Sequence, residues 1–290
     1  MLEWIMEPMS FPFMQRALVT AIATSIVCAI FSCFLVLKGW SLMGDAISHA
    51  VLPGVVLAFL LGIPLAIGAF VSGLFCAVAT GFIKEHCRVK EDSVMGIVFS
   101  GMFAAGLVMF SRVNTEQHLS HILFGNVLGV TDGEMLQTLI IAGVVTLTIL
   151  LKFKDLMLFC FDPIQARVVG LPVRFYHYAL LCLLAMTIVA ALQAVGVVLV
   201  VAMLITPGIT AFLLCKTLSR MMMIAVIASL FAAIAGTFIS FYIDAATGPT
   251  IVVIQSALFL LALAVNLLRK SASVRALRCH SVTNKSRIIN

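Results

Sequence analysis

Apolar residues run along the chain in stretches of about 20, separated by short polar segments. A helix needs about 20 apolar residues to cross roughly 30 Å of hydrocarbon, so each stretch predicts a membrane-spanning helix. The short alternating strands of a membrane barrel form no part of this pattern. The predicted fold is therefore an all-α polytopic membrane bundle of nine spans, or eight if the sixth and seventh merge. The nine lie near residues 14–37, 46–61, 65–84, 93–111, 134–151, 176–192, 194–215, 221–243 and 250–268.

The same pattern predicts one transmembrane domain, residues 1–269, followed by a basic tail, residues 270–290. We expect the tail to be disordered, with an electrostatic contact to anionic membrane lipid as the alternative. Residues 1–13 contain Glu3 and Glu7 and lack a basic segment ahead of the apolar stretch. This favours a retained span over a cleaved signal peptide.

Composition excludes a soluble domain. Of the 290 residues, 63% are hydrophobic and 10% are charged, and the mean hydropathy is +1.20. Soluble domains carry about 25% charged residues. The eight cysteines form no CxxC pair, and Cys28, Cys33, Cys76 and Cys182 lie inside apolar stretches. Buried hydrophobic roles are therefore favoured over disulfides or a metal framework.

The net charge of +6 comes from basic residues in short loops and in the tail, so it indicates membrane topology and not nucleic-acid binding. With nine spans and a cytoplasmic C-terminus, 16 of the 18 lysines and arginines fall in cytoplasmic segments, and Arg16 and Arg112 lie outside. An excess of basic residues on the cytoplasmic side is the usual determinant of orientation. The sequence thus predicts an outer N-terminus and a cytoplasmic C-terminus.

A long outer loop, residues 112–133, contains His118 and His121 and a short apolar piece able to re-enter the membrane. The two histidines are three residues apart and suit contact with a metal or a docking partner. Solvated loop histidines are the commoner case, and we interpret them so.

A long inner loop, residues 152–175, contains its own short helix. Asp162 before Pro163 predicts an N-cap with proline at the first helical position, and Gly170 predicts the end. A helix of about two turns on the inner face is either a docking element or a simple connector.

The chain contains no motif for a motor or a hydrolase. The phosphate-binding GxxxxGK[ST] is absent, so ATP hydrolysis is expected in a separate chain. The HExxH and GxSxG motifs of metalloproteases and serine hydrolases are absent too. Transport remains as the default role of a bundle with polar groups at membrane depth.

Asp45 and His49, in "WSLMGDAISHAVLPG", are the polar pair that raises the functional question. At positions i and i+4 of a helix they project from one face, and small neighbours such as Gly44 and Ser48 let other helices approach closely. A carboxylate and an imidazole suit Mn²⁺, Fe²⁺ or Zn²⁺. Two structural roles compete with metal binding: Asp45 as a cap at the start of the span, and His49 as a donor to a backbone carbonyl.

Three further features lie near the last spans. Asp244 precedes a Gly-Pro turn and on its own is most simply a loop aspartate. Gln193 at the edge of a span favours an interhelical hydrogen bond. Pro207 and Gly208 predict a kink or a break in the seventh span.

Five segments resemble, in this order, the permeases of metal-ion ABC importers, the bacterial family for manganese, zinc and iron uptake. They are "LKGWSLMGDAISHAVLPG", "EDSVMGIVFS", "FDPIQARVVGLPVR", "LQAVGVVLVVAMLITPG" and "IDAATGPTIVV". The resemblance covers roughly residues 5–268 and is closest to the manganese and iron permeases.

The resemblance implies a multi-pass protein of the bacterial inner membrane with three kinds of protein partner. These are a second permease subunit, identical or related, a pair of cytoplasmic ABC ATPase subunits, and an extracytoplasmic metal-binding protein. It further implies that Asp45 and His49 handle the transported metal, and that Asp244 matches the family's acidic residue before the TGP turn. The segment 162–170 matches the helix that couples to the ATPase, which assigns that role to Asp162, Pro163, Ala166 and Gly170.

The resulting hypothesis is a permease subunit that moves Mn²⁺, with Fe²⁺ as a second substrate, through a dimer interface by alternating access. The ion is cargo, and no permanently bound cofactor is expected. The alternatives are a Zn²⁺ permease of the same family, an ATP-independent secondary metal transporter and an intramembrane enzyme. The depth of Asp45 is open, because hydropathy places it near the cytoplasmic end of its span while an outward-facing gate requires it deeper.

Overall fold

The computed structural model describes residues 7–40, 42–112 and 129–288. The described residues form helices joined by short connections. In chain order they are α1 (Pro12–Lys38), α2 (Met43–Ala50), α3 (Leu52–Leu61), α4 (Leu65–His86), α5 (Glu91–Phe110), α6 (Asp132–Leu151), α7 (Phe153–Phe161), α8 (Pro163–Val168), α9 (Val173–Val195), α10 (Val197–Leu214), α11 (Leu218–Ile243) and α12 (Thr247–Ile288).

The predicted all-α membrane bundle is confirmed. Eight helical segments have the length and apolar character needed to cross a membrane, and α2 and α3 together form one of them. A further apolar helix, Leu199–Leu214 within α10, is shorter than these eight. The predicted sixth and seventh spans are separate helices, divided at Gly196 and not near residue 193. Gly196 has a φ of 80°, a conformation that glycine adopts without steric cost.

The helix ends follow from local sequence. Gly39 ends α1 in the left-handed conformation, φ 73°, and its N–H bonds to the carbonyls of the last turn. Thr131 begins α6 in a capping box with Glu134, in which each side chain accepts from the other residue's backbone N–H. The prediction of a re-entrant piece in the loop 112–133 falls largely on residues 113–128, outside the described part, as do His118 and His121.

The centre of the bundle is α1, which packs against α6, α9, α10 and α11. In its most apolar 18-residue window 72% of the residues are buried, whereas the corresponding figure is 17% for both α5 and α12. These two helices therefore lie at the periphery of the single chain.

Pro207 lies inside α10 without ending it. The hydroxyl of Ser32 in α1 donates to the Ile205 carbonyl (3.2 Å) and accepts from the Gly208 N–H (2.9 Å). A neighbouring helix thus satisfies backbone groups beside the proline, as membrane bundles require. Of the predicted kink or break, the structure therefore excludes the break, and the kink stays a prediction.

The connections alternate between two ends of the bundle. At one end, Lys38 lies over the Phe159 ring. At the other, the Arg16 guanidinium pairs with Asp132 (3.3 Å), and the rings of Phe11 and Phe241 lie 6.1 Å apart. The pairing with Asp132 accounts for one of the two basic residues that the topology places outside. We call the end that carries α7 and α8 the docking end.

The last helix, α12, continues through Ile288, whereas its sequence predicts a disordered tail from residue 270. The sequence after Pro249 contains neither glycine nor proline, so no residue there breaks the helix. The disorder expected for residues 270–290 stays a prediction.

Candidate metal site and docking helix

Asp45 and His49 lie on the short helix α2, which begins four residues after α1 ends. The His49 Nε2 atom is 3.4 Å from the Asp45 Oδ1 atom. Both side chains are about one third exposed in the single chain: 38% for Asp45 and 34% for His49. The predicted common face is therefore confirmed, and the two side chains contact each other.

The structure argues against both competing structural roles. Leu42 occupies the N-cap position of α2 and no side chain caps the helix, so Asp45 lies inside its first turn. The His49 imidazole faces a carboxylate, and no hydrogen bond to a backbone carbonyl is recorded for its ring within the described residues. Neither residue thus has the structural role that the sequence left open.

Two phenylalanines of α5 enclose the imidazole. The Phe103 ring meets His49 edge-on at 5.3 Å between centroids, and the Phe99 ring lies at 6.2 Å. These residues sit one turn apart on α5, and sequence reasoning missed them. The contact joins two helices that are not adjacent in the sequence, so no local sequence pattern could have predicted it.

The depth of the pair follows from its neighbours. Phe99 and Phe103 lie in the middle third of α5, so His49 is level with the middle of that span. A Cβ placed on Gly44 would lie 3.1 Å from the Leu204 side chain, which is near the middle of α10. Asp45 is therefore level with the middle parts of α5 and α10, although it is the third residue of its own apolar segment, Met43–Leu61.

Small residues hold α2 in this position. The Ser48 hydroxyl bonds to the Gly44 carbonyl within the helix (2.7 Å). The Ser72 hydroxyl of α4 donates to the Ala50 carbonyl (2.6 Å), at the break between α2 and α3. Pro53 lacks the N–H that a continuous helix would direct toward the His49 carbonyl, which places the break between α2 and α3 beside Asp45 and His49.

Asp244 does not join this pair. It is exposed, ends α11 in the left-handed conformation with φ 56°, and lies at the end of the bundle away from α8. The Ala245 N–H bonds back to the Ser240 carbonyl (3.1 Å), so the turn is a helix C-cap. The predicted loop character holds for residues 244–246, but α12 begins at Thr247 because Pro249 is tolerated in a first turn. The Gln193 side chain lies outside the described part.

Among the described residues no group of three or more His, Cys, Asp and Glu side chains is close enough to hold a metal ion. Asp45 and His49 thus supply two ligands of the kind that first-row divalent ions take. Any further ligand would come from water, from residues outside the described part of this chain or from another chain.

The predicted helix in the inner loop is confirmed as α8. The Asp162 carboxylate accepts from the N–H groups of Ile164 (2.9 Å) and Gln165 (3.0 Å), and Pro163 occupies the first turn. Gly170 follows the helix with a φ of 90°. The Leu171 N–H then bonds to the Ala166 carbonyl (3.0 Å).

One face of α8 is buried against the bundle, and the opposite face carries exposed apolar residues. Ala166 is fully buried against the bundle, whereas Ile164, Val168 and Val169 are 78%, 81% and 65% exposed. An apolar surface outside the membrane-spanning segments is typical of a protein contact.

A family model described as "ABC 3 transport family" matches residues 10–266 of the chain. The chain is 68% identical over 262 residues to the "Chelated iron transport system membrane protein YfeD" of Yersinia pestis, covering 90% of this chain and 88% of that protein. It is 49% identical over 261 residues to the "Manganese transport system membrane protein MntB" of Synechocystis sp., covering 90% and 85%.

A solved structure shares the fold. It is titled "PsaBC from Streptococcus pneumoniae in complex with Fab", and the match has a TM-score of 0.82 at 42% identity. The alignment covers 90% of this chain and 94% of the matched chain.

Proposed function

Because the chain belongs to the ABC 3 transport family, we propose that it is the permease subunit of an ATP-driven importer of divalent metal ions, with Mn²⁺ and Fe²⁺ as substrates. The observation that carries this proposal is the Asp45–His49 pair at mid-membrane depth. Ionisable groups at that depth are expensive and usually serve a transport pathway or face a partner. The relatives named for chelated iron and manganese transport support the choice of metals.

The pair supplies a carboxylate oxygen and, when the imidazole is neutral, a ring nitrogen. An incomplete set of protein ligands leaves water on the ion and keeps binding weak, which transport requires because the ion must also leave. The Phe99 and Phe103 rings limit water around His49 and strengthen electrostatic interactions there. Alternating access would expose this site first to the outer side and then to the cytoplasm.

A second permease subunit follows from the exposure of the pair. A carboxylate and an imidazole that are one third exposed at mid-depth cannot face hydrocarbon without a large cost. A dimer interface containing an aqueous path would cover them. The low burial of α5, which packs beside α2, is in keeping with a further subunit on this side.

The role of α8 is to dock onto a separate cytoplasmic ATPase. The Asp162 cap and Pro163 fix the start of the helix, buried Ala166 anchors it, and Gly170 turns the chain back to α9. The exposed Ile164 and Val168 would enter an apolar groove of the ATPase. This orientation makes the docking end and the C-terminus cytoplasmic, in a bacterial inner membrane. Asp244 then lies on the outer side, where we assign it to the entry of the metal from an extracytoplasmic binding protein.

Metal accumulation resolved by element tests the proposal. Cells without their own importers would express the chain with its candidate ATPase and binding protein. We expect manganese and iron uptake that requires a working ATPase and that Asp45→Ala abolishes at equal permease abundance. Glu134→Gln is the control, because it removes a carboxylate charge at the outer end of α6 while its amide oxygen keeps the capping box. Zinc uptake alone would overturn the metal assignment, and uptake with an inactive ATPase would identify a secondary transporter.

A further inference from the structure

A cavity of about 630 Å³ opens between the docking ends of α4 and α9, away from the metal pair. Its described walls are Phe82, His86, Arg174 and Tyr178. The volume is within the range of small-ligand pockets. Three of these side chains can donate hydrogen bonds, and no carboxylate is among the described walls. The cavity is therefore suited to an anion.

The cavity lies at the height of the membrane edge. A Cβ placed on Gly81 would lie 3.2 Å from the His177 Nε2 atom, so these residues of α4 and α9 are at the same height. The apolar segment of α4 ends at Lys84 and that of α9 begins at Val173. His86 and Arg174 lie about one turn farther toward the docking end than Gly81 and His177 do, which places them at the height of lipid headgroups.

An exposed apolar stripe on α4 leads from the cavity into the span. Its members follow at intervals of three or four residues, which places them on one helix face. Phe75 and Phe82 are 64% and 57% exposed in the single chain. The stripe consists of Ile67, Val71, Phe75, Val78 and Phe82. His86, the next residue at this spacing, stands where the stripe reaches the cavity.

The polar groups of the cavity have capacity for a ligand. The His86 Nδ1 atom lies 2.9 Å from the Phe82 carbonyl oxygen, and its ring stacks on Phe82 at 4.2 Å between centroids. A proton on Nδ1 satisfies that carbonyl, and a second proton on Nε2 makes the ring a donor toward a ligand. Within the described residues the Arg174 side chain has neither an ion pair nor a hydrogen bond. A guanidinium binds phosphate oxygens in a two-pronged arrangement.

We propose that this cavity binds the phosphate of one anionic phospholipid, whose acyl chain lies along the α4 stripe. Arg174 is the principal phosphate ligand, with Tyr178 and His86 as further donors. The described polar side chains of the cavity are hydrogen-bond donors, which favours a headgroup with a net negative charge over a zwitterionic one. Basic pockets between spans at the membrane edge are general sites for such headgroups. The continuous path from basic cavity to apolar stripe distinguishes a lipid from a free anion.

Native mass spectrometry of the full chain in detergent tests this, with phosphatidylglycerol, phosphatidylcholine and inorganic phosphate as probes. We expect wild-type protein to hold one phosphatidylglycerol, and Arg174→Gln to bind it at least tenfold more weakly. Arg220→Gln is the matched control, because Arg220 is an exposed arginine at the docking end of α11. Unchanged binding in Arg174→Gln, or equal binding of phosphatidylcholine, contradicts the proposal.

A substitution in the stripe, with its own control, distinguishes lipid binding from the binding of free phosphate. Phe75→Ser should weaken phosphatidylglycerol binding, whereas Phe212→Ser on α10 should not, although Phe212 is 54% exposed. Inorganic phosphate that binds wild type as tightly as the lipid and is lost in Arg174→Gln would identify a free-anion site instead. If Arg174→Gln fails to fold, Tyr178→Phe replaces it, with an expected loss of about threefold; no loss would contradict the proposal.

Discussion

The Lys38 Nζ atom lies 4.1 Å from the centroid of the Phe159 ring and 3.5 Å from the Phe159 carbonyl oxygen. Lys38 ends α1, directly before the turn that leads to α2 and Asp45, and Phe159 lies three residues before the cap of α8. Trp40 in that turn packs edge-on against His177 at 5.2 Å. These contacts join α7 and α9, the two helices that flank α8 in the chain, to the segment that leads to Asp45.

Replacing Lys38 by methionine should weaken this connection. The substitution keeps an unbranched apolar side chain but removes the ammonium, and a cation–π contact contributes about 0.5–2 kcal/mol. We expect fewer metal ions moved per ATP hydrolysed, at unchanged abundance of the permease. Parallel assays of transport and ATP hydrolysis in the reconstituted complex measure this ratio. Lys154→Met, at an exposed lysine of α7, is the control and should leave it unchanged. A wild-type ratio for Lys38→Met would show that the contact transmits nothing.

Asp162→Ala should loosen α8. The carboxylate caps two backbone N–H groups, and loss of such a cap costs about 0.5–2 kcal/mol. We expect reduced co-purification of the ATPase with the permease, with little change in the thermal stability of the bundle. Asp162→Ser retains a capping oxygen and should restore most of the association. Equal losses in the alanine and serine variants would mean that the negative charge, and not the cap, is what the ATPase contacts.

The sequence predicted the spans and the capped inner helix because both depend on local properties. Runs of apolar residues decide the spans, and the side chain of Asp162 with Pro163 decides the start of α8. The continuity of α10 through Pro207 could not be judged the same way. Its continuation depends on Ser32, which is 175 positions away in the chain and satisfies backbone groups next to the proline.

The candidate site was predicted in part. The spacing of Asp45 and His49 was enough to place them on one helix face, but their depth depends on how the chain turns at Trp40. Hydropathy cannot register a segment that re-enters a bundle before becoming helical. The contact of Phe103 with His49 joins separate helices, and sequence distance carries no information about it.

The two cysteines beside the docking end should differ in reactivity. Burial raises the pKa of the Cys160 thiol from its ordinary value to about 11, although the nearby Lys38 charge acts in the opposite direction. The thiolate is the reactive form, so at pH 8 roughly one Cys160 in 1,000 is reactive. Cys87 is exposed at the end of α4. Maleimide labelling at pH 8, read by peptide mass spectrometry, should modify Cys87 and spare Cys160, whose labelling should increase as the pH approaches 11. Rapid labelling of Cys160 at pH 8 would show that α7 opens readily.

Gly54 and Gly68 should tolerate no side chain. They lie where α3 crosses α4, and a Cβ on either residue would overlap the carbonyl oxygen of the other. Because the overlapping atoms belong to the backbone, the overlap can be relieved only by moving a whole helix. Overpacking of this kind costs about 1–3 kcal/mol or more. The displacement would reach the metal pair, since Ser72 on the same part of α4 holds the Ala50 carbonyl. We therefore expect Gly54→Ala to lower both the unfolding temperature in detergent and metal uptake per folded permease.

Gly143→Ala in α6 is the control, because nothing lies within 4 Å of a Cβ there and alanine favours a helix by up to about 1 kcal/mol over glycine. A Gly54→Ala protein as stable as the Gly143→Ala protein would show that α3 and α4 do not approach this closely.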